Sequence, residues 1–267
     1  KRSETPELIK GALKPLIEIM EAMSIPVVMK EGFEADDVIG TLAKEAESKG
    51  YSVYMVTPDK DYGQLVSQNI FQYKPAKNGN DSEIIGKEEI CAQYGIERPE
   101  QVIDILTIWG DASDNIPGVK GVGEIGSKKL IQKFGSVQNI YNSLNELPEK
   151  MQIAFNEAKT YIDLSQTLVT IDTKVDIPFE EEAVKLETPH FNELRKLFNR
   201  YEFNSLNKTL SQAEQIFNLT GSKELLIEEK ASQKTPEFKV CSSDEIFSLS
   251  KTTRYLSVKQ SGEKIYI

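Results

Sequence analysis

The chain has 267 residues, of which 39% are hydrophobic and 28% charged, a balance that supports a globular protein with a buried core. Its net charge of −10 argues against a simple nucleic-acid coat protein, which would be basic. No stretch approaches the ~18 uninterrupted apolar residues of a membrane span. Cys91 and Cys241 are far apart and form no Cys-x-x-Cys motif. We therefore expect a cytoplasmic protein with neither a disulfide nor zinc, and with no membrane partner.

The first third of the chain alternates helical and strand patterns. Thr5-Pro6-Glu7 predicts the start of a helix, and Pro15 predicts a kink within it. Further elements are predicted as a buried strand at 25–29, a helix at 35–49 ended by Gly50, and strands at 51–56 and 70–74. Strands that alternate with helices predict an α/β fold with a mainly parallel sheet.

From about residue 84 the pattern becomes helical. Helices are predicted at 87–94, 99–109, 123–133, 136–144, 150–164 and 188–203. We expect four regions: an α/β core at 1–83, a helical region at 84–210, a linker at 211–237, and the start of a partial second α/β domain at 238–267.

Three acidic clusters stand at the ends of predicted elements. They are Glu34, Asp36 and Asp37 at a helix start, Asp59 and Asp61 after the strand 51–56, and Asp111 and Asp114 after the helix 99–109. Each has an ordinary interpretation, since acids stabilise helix starts and occupy solvated turns. The second cluster, however, follows the carboxyl end of a strand, where open α/β sheets bind ligands.

Together the clusters indicate a metal site. Eight acids face three lysines between residues 31 and 61, and such a concentration of negative charge requires cations. Carboxylate oxygens favour Mg²⁺ or Mn²⁺, and the single histidine, His190, lies far away in sequence. Two such ions ~4 Å apart are a known device for cleaving phosphodiesters. The sequence thus predicts an all-carboxylate two-metal site.

A glycine string, Gly121-Val-Gly-Glu-Ile-Gly126, matches the dinucleotide-binding fingerprint letter for letter. That fingerprint needs a preceding strand, which Pro117 excludes. A helix-hairpin-helix formed by the helices 99–109 and 124–133 fits better. Its glycines let the backbone come close to a phosphate, and the N–H groups at the start of the second helix point toward it. Lys120, Lys128 and Lys129 would add charge that holds DNA without reading its sequence.

Three segments carry a resemblance to a known family. "EADDVIGTLA", "TPDKDYGQLV" and "GDASDNIPGVKGVGEIGSKKLI", in this order, resemble the 5′-nuclease domain of bacterial DNA polymerase I, a relative of flap endonucleases, over about residues 1–210. The resemblance implies a PIN-like core and metal-binding roles for Glu34, Asp36, Asp37, Asp59, Asp61, Asp111 and Asp114. It also implies a DNA-binding hairpin at Gly118, Gly121 and Gly123, which in the family holds K⁺, and a contact from Arg2 to the scissile phosphate.

The resemblance has one departure. In the family, a first strand and an arch carry two further metal-binding aspartates ahead of the point where these 267 residues begin. We therefore expect a core that lacks its first strand and a site that is incomplete in this fragment. The tail at 238–267 is similar in placement to the start of a 3′–5′ exonuclease-like domain.

The expected function is metal-dependent hydrolysis of DNA at 5′ ends and flaps in replication and repair. The expected partners are 5′ flaps, nicked or branched duplex, RNA primer ends, and a polymerase domain of the same chain. One alternative is a metal-independent DNA-binding module that uses only the hairpin. A third possibility, a nicotinamide-dependent oxidoreductase, would use the glycine string.

Overall fold

The computed structural model describes residues 6–76, 81–220, 259–261 and 264–266. The chain divides into two compact units, Lys1–Leu210 and Ser211–Ile267. Among the described residues, no helix combines the length and apolarity needed to cross a bilayer.

The first unit contains a small sheet and most of the helices. The α/β part comprises α1 Glu7–Ala22, α2 Ala35–Ser48, β1 Val53–Val56, a 3₁₀ helix Lys60–Leu65, β2 Ile70–Lys74 and β3 Glu83–Ile85. The following helices are α3 Lys87–Tyr94, α4 Gln101–Trp109, α5 Glu124–Phe134, α6 Val137–Asn142, α7 Glu149–Ala158, α8 Ile162–Val169, α9 Phe191–Arg200 and α10 Asn204–Thr220, with short 3₁₀ helices at Leu144–Glu146 and Glu181–Val184.

The sheet has the order β1-β2-β3. β1 and β2 are parallel, with Val53 opposite Ile70 and Val56 opposite Tyr73. β2 and β3 are antiparallel, with Gln72 opposite Ile85. The predicted α/β class is confirmed. The described sheet is mixed because β3, which was not predicted, pairs antiparallel with β2. Its three residues are too few to show an alternating apolar pattern in the sequence.

Two predicted elements are wrong. The segment 25–29 is not a strand, and Val27, Val28 and Met29 are 42%, 43% and 76% exposed. An apolar run shows which side chains favour burial, but a strand also needs a paired neighbour, and none of the described residues supplies one. The predicted helix 150–164 is two helices, because the chain turns at Lys159–Tyr161 between α7 and α8.

The first predicted helix starts one residue later in the structure than the Thr5-Pro6-Glu7 pattern predicts. α1 begins at Glu7 with Pro6 as its N-cap, while Thr5 lies outside the described residues. The helix continues through Pro15 to Ala22. By contrast, α2 ends as predicted, with Gly50 at a φ of +90° directly after its C-cap.

One hydrophobic core runs from Ala43 to Ile171. It joins the sheet residues Met55 and Ile70 to Ile105 of α4 and Phe155 of α7, all at most 3% exposed. Burying each such side chain is worth about 1.5–3 kcal/mol. The core is therefore continuous across residue 83, and the domain boundary predicted there stays a prediction.

The second unit is described only in part. The helix α10 extends to Thr220, so the predicted linker begins inside a helix, and residues 221–237 lie outside the described part of the chain. Within the tail, β4 Lys259–Ser261 pairs antiparallel with β5 Lys264–Tyr266. The interpretation of residues 238–267 as the start of a 3′–5′ exonuclease-like domain stays a prediction.

Candidate active site

The start of α2 lies beside the end of β1. A helix that leads into a strand through a short turn runs back along it, so the first residues of the helix meet the residues that follow the strand. Tyr62, in the 3₁₀ helix after β1, donates a hydrogen bond from its hydroxyl to Asp36 Oδ1 at 2.8 Å. This bond joins the first acidic cluster to the second.

The other two acids of the first cluster form a capping box at the start of α2. Glu34 is the N-cap, and its backbone N–H donates to Asp37 Oδ2 at 3.2 Å. The second oxygen of Asp37 accepts from the backbone N–H of Asp172 at 2.9 Å. The capping interpretation of this cluster is thus confirmed, and it coexists with a long-range contact to the segment after α8.

The second cluster is held by a tight turn. Asp59 caps the 3₁₀ helix, because its Oδ1 accepts from the backbone N–H of Asp61 at 3.0 Å. The buried side chain of Gln72 in β2 donates to the carbonyl oxygens of Thr57 and Asp59 at 3.1 and 2.5 Å. The strand that neighbours β1 therefore fixes the loop that carries both aspartates.

Lys60 joins the second cluster to the third. Its Nζ lies 2.7 Å from Asp111 Oδ2 and 3.5 Å from Asp61 Oδ1. Asp111 also accepts hydrogen bonds from the backbone N–H of Ser113 at 2.8 Å and from the Ser113 hydroxyl. The contact of α4 with the 3₁₀ helix places Asp111, two residues after α4, next to Lys60.

The protonation equilibria of these acids are shifted in opposite directions. Burial, reinforced by the charges of Asp59 and Asp111, raises the pKa of Asp61 to about 6. Burial would also raise the pKa of Asp111, but hydrogen bonds from Lys60 and Ser113 outweigh it and lower that pKa to about 2. Asp61 is thus the carboxylate that carries its negative charge least favourably.

An open cleft of about 530 Å³ joins the third cluster to the first. Glu34, Asp37 and Asp114 line it, together with Asp172 and residues of the α8 end such as Thr170. The three predicted clusters therefore meet pairwise: Asp36 with the second through Tyr62, Asp61 with Asp111 through Lys60, and Asp114 with Glu34 and Asp37 across the cleft.

The donor set suits a divalent ion in chemistry, since it consists of carboxylate oxygens. Asp61 Oδ1 is buried and accepts no hydrogen bond from any described residue, and the Lys60 ammonium 3.5 Å away is its neighbouring cation. In the observed side-chain positions, however, the described residues contain no group of three or more histidine, cysteine, aspartate or glutamate side chains that could hold a metal ion. The acids are neighbours, but they do not form a closed coordination shell.

The glycine string lies in the predicted helix-hairpin-helix. Residues 110–123 form a loop between α4 and α5, closed by reciprocal backbone hydrogen bonds between Asp111 and Ile116. The chain before Gly121 is thus a loop and not the strand that a dinucleotide fingerprint requires.

The three hairpin glycines serve different purposes. A Cβ on Gly118 would lie 2.3 Å from the carbonyl oxygen of Trp109, so this glycine allows the loop to pack against the end of α4. Gly121 has a φ of +79°, which favours glycine. Only Gly123, the N-cap of α5, combines an ordinary φ with open space around its Cβ position.

The hairpin is clamped by α8. The hydroxyl of Tyr161 donates to the carbonyl oxygen of Gly118 at 3.1 Å. Ser165, buried in α8, donates from its hydroxyl to the carbonyl oxygen of Pro117 at 2.8 Å. These two bonds fix the loop between the acids after α4 and the start of α5.

The three predicted DNA-binding lysines differ in their surroundings. Lys120 and Lys129 are exposed. Lys128 is half-buried, because its Nζ pairs with Glu124 at 2.7 Å and lies 4.5 Å from the ring centroid of Tyr94. Arg2 lies outside the described residues, so its expected contact with the scissile phosphate stays a prediction.

Sequence reasoning missed three residues of this region. Lys60 stands between two aspartates in "TPDKD", a spacing that could have marked it as their counter-ion. Tyr62 and Asp172 follow no motif, and they join the site only through the packing of the 3₁₀ helix and the α8 end against α2.

Two family models match the chain. Residues 1–95 match the N-terminal resolvase-like domain of the 5′-3′ exonuclease family, and residues 97–192 match its C-terminal SAM fold. A 5′-3′ exonuclease of Aquifex aeolicus is 36% identical over 225 residues, which cover 84% of this chain and 74% of that protein.

The chain is also similar to part of a larger polymerase and to a protein of known structure. The thermostable DNA polymerase I of Thermus thermophilus is 36% identical over 205 residues, which cover 77% of this chain but 24% of the polymerase. A crystal structure of the phage T5 flap endonuclease, a pseudo-enzyme-product complex with DNA and metal ions, aligns with a TM-score of 0.55 at 21% identity, covering 72% of this chain and 68% of that one.

The small mixed sheet and the helical region thus share the fold of the phage T5 flap endonuclease. The identity and coverage of the Aquifex relative, with the two family models, show that the chain belongs to the 5′-3′ exonuclease family. The resemblance drawn from the three motifs is confirmed.

Proposed function

We propose that the chain contains a 5′-nuclease module of a DNA polymerase I that hydrolyses DNA phosphodiesters at 5′ ends and flaps with divalent metal ions. The observation that carries the proposal is the pairwise meeting of three acidic clusters that are far apart in sequence. Family membership supports the nuclease class. Replication and repair would supply the substrates, namely flaps, nicked or branched duplex and RNA primer ends.

In this proposal different residues bind the metal ions and the DNA. Glu34, Asp37 and Asp114 would hold metal from the walls of the cleft, and Asp36, Asp59, Asp61 and Asp111 would complete the set. Bound Mg²⁺ or Mn²⁺ would supply Lewis-acid chemistry and a nucleophilic water. Gly118, Gly121, Gly123 and the exposed Lys120 and Lys129 would position the DNA backbone, and K⁺ at the hairpin stays a prediction.

The test is flap cleavage by the full-length protein in Mg²⁺. Asp36→Asn keeps the acceptor for Tyr62 but removes the charge, and we expect cleavage to fall on the order of 100-fold or more. Glu193→Gln, on the surface of α9, is the matched control and should cleave like the wild type. Wild-type protein that is inert with Mg²⁺ and with Mn²⁺ would refute the nuclease proposal.

A second candidate function is metal-independent DNA binding by the hairpin. It is favoured by one observation, the lack of a group that could hold a metal among the described residues. Binding that is salt-dependent but indifferent to divalent ions, without cleavage, would support it.

A further inference from the structure

Lys60 lies between two acids of the proposed site, Asp61 and Asp111, and the proposed chemistry assigns it no role. Its Nζ lies 2.7 Å from Asp111 Oδ2 and 3.5 Å from Asp61 Oδ1. On a third side, the ammonium lies 5.2 Å from the ring centroid of Trp109. The Lys60 side chain is only 35% exposed, so this is not a surface ion pair.

The two oxygens next to Lys60, Asp61 Oδ1 and Asp111 Oδ2, belong to acids of the proposed metal-binding set. Asp61 Oδ1 is buried and has no hydrogen-bond donor among the described residues, which leaves the Lys60 ammonium as its neighbouring cation. A Mg²⁺ ligand oxygen lies 2.0–2.1 Å from the ion. The Lys60 ammonium lies 2.7 Å from Asp111 Oδ2, so a Mg²⁺ ion bound to the same oxygen would lie about 4 Å from it, and repulsion between the two cations would weaken the binding of both.

We propose that Lys60 is a resident counter-ion of the acidic centre, which leaves Asp61 and Asp111 when these residues bind a divalent ion. This inference rests on the proposed metal-dependent function. In this inference Lys60 neutralises Asp61 and Asp111 when no divalent ion is bound, and it competes with the metal for their oxygens.

The chain provides its own reporter for this exchange. Trp109 is the single tryptophan of the sequence, and the ammonium of Lys60 lies over its ring. Withdrawal of a cation from the indole changes its electrostatic surroundings and hence its emission. We expect a Mg²⁺ titration of the wild-type protein, without DNA, to change the emission with the same midpoint that calorimetry gives for Mg²⁺ binding.

Lys60→Met removes the ammonium and keeps an unbranched apolar stem. We expect it to bind Mg²⁺ at least about 5-fold more tightly than the wild type and to lose the Mg²⁺-dependent emission change. Lys133→Met is the matched control, since Lys133 pairs with Glu146 at 3.0 Å and lies 4.4 Å from the centroid of the Phe134 ring. Its affinity should stay within about 2-fold of the wild type.

The outcomes separate this inference from the proposed function. Mg²⁺ binding that is no tighter in Lys60→Met than in Lys133→Met overturns the exchange and leaves the nuclease proposal intact. Calorimetric binding of Mg²⁺ by the wild type without an emission change would likewise overturn the exchange and leave the nuclease proposal intact. A failure of all variants to bind Mg²⁺ or Mn²⁺, with inert wild-type protein, removes both. If Lys60→Met does not fold, two other measurements test the exchange. One is the Mg²⁺ titration of the wild type; the other is Mg²⁺ binding by Lys60→Arg, which retains the charge and should bind no more tightly than the wild type.

Discussion

Asp61 is the carboxylate whose ionisation the fold opposes most clearly. Its pKa rises from 3.8 to about 6, because it is buried and lies near Asp59 and Asp111. A folded-state pKa above the unfolded value contributes stability at low pH, and that contribution is lost as the pH rises from about 4 to about 6. Asp111 is the opposite case: its pKa of about 2 contributes stability above pH 4, which is lost as the pH falls toward 2.

Without divalent ions, Asp61→Asn should therefore stabilise the protein at pH 8. The neutral isostere removes a poorly solvated charge, and we expect a gain on the order of 2 kcal/mol at pH 8 that falls to roughly a third of that at pH 4.5. Thermal unfolding in EDTA at both pH values measures it. Asp176→Asn, which removes a fully exposed aspartate, controls for the change in net charge. An equal gain at both pH values would contradict the assignment.

At the scale of elements, the hairpin glycines offer a sharp contrast. Gly118→Ser would press a Cβ against backbone atoms of Trp109, and we expect a loss of about 2–3 kcal/mol in the free energy of unfolding. Gly123→Ser meets open space at an N-cap, where serine is preferred, and should change stability by less than about 0.5 kcal/mol. Urea unfolding of both variants checks the prediction, and equal losses would show that the loop does not pack as described.

The start of α5 gives a second prediction, which concerns DNA affinity. Lys129 is exposed, whereas Lys128 is paired with Glu124 and packed over Tyr94. We expect Lys129→Ala to weaken binding to any duplex sequence and to reduce the salt dependence by about one phosphate contact. Lys128→Ala should weaken it less, and fluorescence anisotropy across a salt series compares the two. The reverse order would place Lys128, and not Lys129, against the phosphates.

These contrasts show which features the sequence could reveal. The start of α2 and the helices α3 to α5 follow from caps, glycines and apolar spacing, which are local signals. The pairing of Lys60 with Asp111 depends on how α4 packs against the 3₁₀ helix, and no local pattern encodes that contact. The strand predicted at 25–29 was wrong for a related reason, because its apolar residues do not specify a neighbouring strand to pair with.

At the scale of the whole molecule, a net charge of −10 opposes DNA binding, and the acidic cluster adds to the repulsion near the cleft. Ca²⁺, which binds carboxylate oxygens, should therefore raise the affinity for a flap substrate by at least about 10-fold over EDTA. Anisotropy at constant ionic strength measures this. Equal affinity in Ca²⁺ and in EDTA would favour the metal-independent binding module.

The clamp of α8 on the hairpin has a consequence for where a substrate would be cut. Gly118 packs on the end of α4, and Tyr161 and Ser165 hold the carbonyl oxygens of Gly118 and Pro117. The same loop carries Asp111 and Asp114, so the residues proposed to hold the duplex and two of the proposed metal ligands lie in one stretch of backbone that these hydrogen bonds hold in place. On the proposed function, the position of that loop sets how many nucleotides separate the bound phosphate from the scissile bond, independently of base sequence.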